Sequence, residues 1–139
     1  MCYTAGTRID TPRGAMPIEA LAVGDMVDTV LSGPMPVTWI GHRRIDLHRH
    51  PAPGRVAPIH IAAGAFGHGL PRRDLLLSPD HAVYVDGALI PIRYLINGRS
   101  IVPTASRTVI YYHLELPRHD VLLAEGLPAE SYLDTGNRD

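Results

Sequence analysis

Residues 82–90, Ala82-Val83-Tyr84-Val85-Asp86-Gly87-Ala88-Leu89-Ile90, read as two strands and the turn between them. Asp-Gly is favoured where both central residues of a two-residue turn need positive φ. Outward from this hairpin the pattern repeats. Tyr94-Leu95-Ile96 turns at Asn97-Gly98 into Ser100-Ile101-Val102, and Thr108 to Leu116 is one long strand of β-branched and aromatic residues. Pro117-Arg118-His119-Asp120 turns it into Val121-Leu122-Leu123-Ala124. Beyond that, Leu127 to Asp139 reads as a polar tail expected to fray.

Toward the amino end, Thr7 to Thr11 alternates and stops at Pro12-Arg13-Gly14, and Pro17 to Leu21 suits one helical turn with Pro17 at its start. Met26 to Val30 and Val37 to Gly41 read as strands around a turn at Ser32-Gly33-Pro34. His42 to Arg55 is basic, histidine-rich and broken by proline, which predicts a surface loop. Ala57 to Ala65 is apolar again, Gly67 to Pro71 breaks it, and Asp74 to Ser78 runs into Pro79-Asp80-His81.

Composition agrees with an all-β fold. The 13 glycines and 13 prolines are scattered along the whole chain, and proline that frequent interrupts every long helix. A chain of 139 residues suits a single domain over 1–139 with a real core. Thirteen Lys+Arg against 14 Asp+Glu gives no field for nucleic acid or an anionic membrane, so neither partner is expected. The single cysteine excludes an internal disulfide framework. No apolar run approaches the roughly 20 residues of a spanning helix, and the start lacks a signal-peptide pattern. These residues fix no compartment: within a larger precursor, a bacterial cytoplasm or secretion would both suit.

That one cysteine is Cys2, followed by Tyr3-Thr4-Ala5-Gly6-Thr7. A thiol there can attack the carbonyl just before it. Three stretches set its context. The first is Cys2-x-x-x-Gly6-Thr7-x-Ile9 with Thr11-Pro12-x-Gly14, Ile18-x-x-Leu21, Gly24-Asp25-x-Val27 and Trp39-Ile40-Gly41. The second is Leu77-Ser78-Pro79-Asp80-His81. The third runs from Val109 to Leu116 through His113, with His119-Asp120 and Ala124-Glu125-Gly126.

Together, in this order over nearly the whole chain, these stretches resemble the Hint family, the self-processing module shared by Hedgehog proteins and inteins. The likeness is nearest to bacterial Hedgehog/intein-type domains. It implies a horseshoe of long bent strands in two halves related by a pseudo-two-fold, with Cys2 in the central cleft.

The activity it implies is an N-to-S acyl shift, in which the Cys2 thiol turns the preceding amide into a thioester. The amide nitrogen is a poor leaving group until protonated, so the reaction needs a nucleophile with thiolate character and a proton donor. His81 matches the histidine of the family's Thr-x-x-His motif, and Ser78 stands in the threonine's place with its hydroxyl retained. His113 falls where inteins usually carry an aspartate, and an imidazole can take over proton transfer nearer neutrality. His119 matches the turn histidine, with a relay or orienting role. Hedgehog domains carry an aspartate near the position of His42 that is associated with the sterol, so a sterol acceptor is not expected here. Asn137, preceded by Gly136 and followed by Arg138, lacks the helper histidine and the acceptor that splicing requires. Cleavage at the amino end only is expected: the upstream polypeptide is the substrate in cis, the thioester is resolved by water, a thiol or an amine, and the domain is a monomer with no cofactor.

Two other readings remain open. The thioester can be handed to an amine or hydroxyl of another molecule, making a ligation module. Alternatively, with position 113 altered, the domain is a degenerate binding module without catalysis. Taken singly, Cys2 suits a small buried hydrophobe, and His81, His113 and His119 suit structural histidines. His48-x-His50, with His42 and His60 nearby, reads as a solvated loop, since zinc sites bring tighter Cys/His spacings. Thr7 and Asp25 are expected to be structural.

Overall fold

The computed structural model describes residues 1–133. Fourteen strands dominate it. The first six are β1 (Tyr3–Thr4), β2 (Arg8–Thr11), β3 (Gly14–Pro17), β4 (Met26–Val27), β5 (Met35–Pro36) and β6 (Trp39–Asp46). A short helix α1 (Pro53–Val56) precedes β7 (Ile59–Ile61), β8 (Leu75–Leu77), β9 (Ala82–Val85) and β10 (Ala88–Pro91). The remaining strands among the described residues are β11 (Ile101–Pro103), β12 (Thr108–Glu115), β13 (Val121–Ala124) and β14 (Leu127–Glu130). Two six-stranded sheets, ordered β11-β7-β8-β1-β12-β6 and β10-β9-β14-β13-β2-β3, are joined by the small pair β4-β5, and the pairings are antiparallel. The expected all-β architecture is observed.

Glycine-containing turns set the local geometry. Asp86 and Gly87 have φ of 50° and 80°, as the β9–β10 hairpin requires. Glu125 and Gly126 repeat that geometry at 50° and 82° between β13 and β14. A glutamate is strained at positive φ, and this one is held there. Its carboxylate accepts hydrogen bonds from the Arg8 amide at 2.8 Å and from the Arg73 guanidinium at 2.8 and 3.0 Å.

Three local expectations are corrected. Residues 42–55 are only partly loop, because β6 continues to Asp46 and pairs with β12 through all eight residues. The polar-looking surface of a two-stranded ladder hid the strand: Arg43, Arg44 and Asp46 are exposed while their backbone is satisfied by β12. Tyr94-Leu95 belongs to a 3-10 turn over Ile92–Leu95, not to a hairpin strand. The segment from Leu127 does not fray at its start: β14 lies inside its sheet between β9 and β13, with Leu127, Ala129 and Glu130 buried. Asn137 lies outside the described residues.

The main core interlocks both sheets, with Ile9, Leu77, Val83, Leu114, Leu122 and Ala129 among its buried members. Tyr3 is sealed in it, its hydroxyl donating to the Glu130 carbonyl at 2.7 Å. Its neighbour Cys2 belongs instead to a second, smaller cluster with Leu47, Val109 and Tyr111. The alternation of a strand explains the split, since adjacent residues point to opposite faces.

Candidate active site

Central β1 is flanked by β8 and β12, with Tyr3 paired to Leu77 on one side and to Tyr112 on the other. This register carries Cys2 against Ser78, just after β8, and against His113 on β12. The Cys2 amide donates to the Ser78 hydroxyl at 2.8 Å, and the Ser78 amide donates to the Cys2 carbonyl at 3.1 Å. Ser78 thereby fixes the nitrogen of the Met1–Cys2 peptide bond.

His113 holds the other side of the same peptide. Its Nδ1 is 3.3 Å from the Met1 carbonyl oxygen, and both ring nitrogens are 3.6 Å from Cys2 Sγ. A carbonyl only accepts, so Nδ1 carries the hydrogen of that contact, and Nε2 of the neutral ring is left as an acceptor for the thiol. Trp39 stacks on the imidazole at 6.1 Å between centroids and Tyr132 meets it edge-on at 4.9 Å. Burial holds the His113 pKa below its ordinary value, with repulsion from the Met1 ammonium next and from Arg43 as a lesser cause, against a raising contribution from the Met1 carbonyl. The ring is therefore a neutral base near pH 7. Gly41 lies opposite it, and a Cβ there would fall 2.4 Å from the Trp39 ring, so only glycine admits the indole in this position.

His81 is fully buried, edge-on to the Tyr3 ring at 4.3 Å. Its Nε2 donates to the Glu130 carbonyl at 2.9 Å, while Nδ1 has no hydrogen-bond partner among the described residues. The Cys2 main chain lies close enough to favour the protonated ring, yet burial dominates and, with the amino terminus, pushes the pKa down to about 3. His81 is thus a neutral imidazole in a dry setting, beside the backbone of the nucleophile.

His119 binds elsewhere. Its Nε2 is 3.0 Å from Oε1 of the buried Glu130 carboxylate, whose Oε2 accepts from the Ala82 amide at 2.7 Å. Residue 130 thus touches His119 with its side chain and His81 with its main chain. Glu130 was missed at the level of sequence because the tail read as polar; its signal was the apolar pair Leu127 and Ala129, two residues apart as in a strand.

Other sequence candidates lie off this cluster. His42 stacks on Tyr112 at 5.3 Å, and Tyr112 alternates with Tyr111 and His113 along β12. His60 is 3.0 Å from the Asp74 carboxylate, and His50 accepts from the Ala52 amide. Asp25 caps the Ala22 amide at 2.9 Å, and the Thr7 carbonyl accepts from Ile18 at 2.8 Å, both structural contacts. Among the described residues, no three His, Cys, Asp or Glu side chains converge as a metal site, and no helix is long and apolar enough to cross a membrane.

A sequence model of the Hint domain family matches residues 1–136. No curated protein matches the chain. The solution structure of a bacterial intein-like domain from Clostridium thermocellum superposes with a TM-score of 0.65 at 17% identity, covering 94% of this chain and 98% of that one. The crystal structure of the MchDnaB-1 intein gives 0.61 at 13% identity, over 94% and 99% of the two chains. That of the gp41-1 intein gives 0.61 at 14%, over 92% and 96%. At these identities the likeness is one of fold.

Proposed function

The chain belongs to the Hint domain family, and from that premise we propose that it cleaves its own backbone at the Met1–Cys2 bond through an N-to-S acyl shift. The family supports self-processing in general. The chemistry at this bond is argued from the contacts that surround it.

The observation that carries the proposal is the grip on one peptide at three atoms: its nitrogen by Ser78, its carbonyl oxygen by His113 Nδ1, and the adjacent sulfur within 3.6 Å of the same ring. In the forward step Cys2 Sγ bonds to the Met1 carbonyl carbon, that carbon parts from the Cys2 nitrogen, and the thiol proton is balanced by one gained at the amine. His113 Nε2 is the acceptor for the thiol proton. Its Nδ1–H stabilises the negative charge that grows on the Met1 oxygen, as donors aimed at a developing oxyanion do.

His81 is the proton carrier for the leaving nitrogen. Burial disfavours its imidazolium, so the proton that the thiol gives up to His113, once passed on to His81 Nδ1, is readily handed to an amine that becomes basic as the amide is lost, and His81 ends neutral as it began. His119 acts as an orienting residue through Glu130, not at the reacting atoms. The resulting thioester is open to a thiol, an amine or water, which releases the upstream chain.

The test is a fusion carrying a reporter protein ahead of Met1. Dithiothreitol or hydroxylamine should release the reporter, and Cys2→Ala should abolish the release. Release that survives Cys2→Ala, or none from the parent fusion, would reject the acyl shift.

A further inference from the structure

Two guanidinium groups that are in no ion pair among the described residues, Arg43 on β6 and Arg55 on α1, lie beside the nucleophile. Opposite residues of an antiparallel pair share a face, so Arg43, paired with Tyr111, points to the side that carries His113 and the Cys2 cluster. The Tyr111 hydroxyl donates to the Val56 carbonyl at 2.5 Å and ties α1, with its Arg55, against that face. Arg43 and Arg55 line one cavity of about 200 Å³ with Met1, Cys2 and Ser78. A larger cavity of about 460 Å³ shares its Arg55, Pro79 and Asp80 wall.

The charges in this wall do not cancel. Asp80 is the acidic residue shared by both cavities, and it is ion-paired to Arg93. Among the described residues the arginines in ion pairs are Arg49, Arg72, Arg73 and Arg93; Arg43 and Arg55 are in none. A cavity that includes the acyl-bearing residue and two unneutralised guanidinium groups is suited to an anion.

We infer that this cavity is the acceptor subsite, and that it selects a small nucleophile bearing a carboxylate, sulfonate or phosphate group. The inference rests on the thioester reading above. In the transfer, the acceptor sulfur or nitrogen bonds to the Met1 carbonyl carbon, the bond from that carbon to Cys2 Sγ breaks, and the proton lost by the acceptor returns to the Cys2 thiol. The guanidinium groups bind the anionic end and take no part in bond making. Both side chains are exposed, so their attraction is screened by salt.

Three thiols of similar size test it on the reporter fusion at low ionic strength: 2-mercaptoethanesulfonate, neutral 2-mercaptoethanol and cationic cysteamine. Each rate is normalised to thiolate concentration and to the same thiol's rate with a free peptide thioester. The sulfonate should be favoured over mercaptoethanol about tenfold, cysteamine should be disfavoured, and molar salt should erase most of the difference. Arg43→Gln combined with Arg55→Gln should bring the sulfonate-to-mercaptoethanol ratio close to one. Equal normalised rates for all three thiols in the parent, or an unchanged ratio in the double variant, overturns the subsite while leaving the acyl shift standing. Failure of every thiol, mercaptoethanol included, overturns the acyl shift and the subsite with it.

Discussion

The main-chain carbonyl of Glu130 accepts a 2.9 Å hydrogen bond from Nε2 of His81. Because a carbonyl cannot donate, this contact fixes the His81 tautomer and leaves Nδ1 as the nitrogen without a hydrogen-bond partner among the described residues. The Tyr3 hydroxyl shares the same oxygen at 2.7 Å, and the Glu130 carboxylate is held by the Ala82 amide and His119. A residue on β14 therefore sets the tautomer of a histidine almost fifty positions earlier.

Glu130→Gln should cost about 2–4 kcal/mol of stability, since it weakens a buried, charge-assisted network without removing its volume. Tyr3→Phe should cost about 1–2 kcal/mol by leaving part of the Glu130 carbonyl unsatisfied. Denaturant titration measures both. A neutral outcome for Glu130→Gln would mean that its carboxylate does not hold the β9–β14 junction.

Acid stability should carry the signature of His81. Its folded pKa is near 3 against an ordinary 6.5, so below pH 6.5 the unfolded chain takes up a proton that the folded chain refuses. This contribution is fully present above pH 6.5, is lost at ~1.4 kcal/mol per pH unit as pH falls, and levels off near pH 3. At pH 4.5 the loss is about 3 kcal/mol. His81→Gln should remove that part of the slope, as read from urea midpoints at pH 7 and 4.5; parallel slopes in parent and variant would contradict the neutral buried imidazole.

Replacing His113 separates its chemistry from its packing. His113→Ala should slow thiol-induced release by roughly 10²–10⁴-fold. His113→Asp should retain more activity than alanine, since a carboxylate can still accept the thiol proton. In the parent fusion, release normalised to thiolate concentration should fall only below the pH at which a free imidazole protonates, because the His113 pKa is lowered. A fusion has no Met1 ammonium, so burial, the larger cause, would sustain the shift.

Ser78 should tolerate threonine but not alanine. Ser78→Ala leaves the Cys2 amide without its 2.8 Å acceptor in a buried site, a loss of about 1–3 kcal/mol and a matching fall of one to two decades in release rate. Ser78→Thr keeps the hydroxyl and should stay within a few-fold of the parent. Indistinguishable rates for serine and alanine would remove Ser78 from the proposal.

Gly41→Ala should act through Trp39. The added methyl requires the indole to shift off His113, so release should slow and tryptophan fluorescence should change together. Slower release with unaltered fluorescence would point to a cause other than the indole.

Local chemistry made much of the molecule legible in the sequence. Proline and glycine punctuation gave an all-β chain, Asp86-Gly87 marked its hairpin, and the spacing of Cys2, Ser78, His81 and His113 carried the family resemblance. These signals survive in one dimension because turn geometry and motif spacing are local properties. Strand parity and sheet register are not local. Whether His42 or Arg43 joins the site depends on which face of β6 meets Tyr111, and a shift of one residue would exchange them. The burial of Glu130, and its hold on His81, depends on β14 entering its sheet between β9 and β13, which only the packing of distant strands decides.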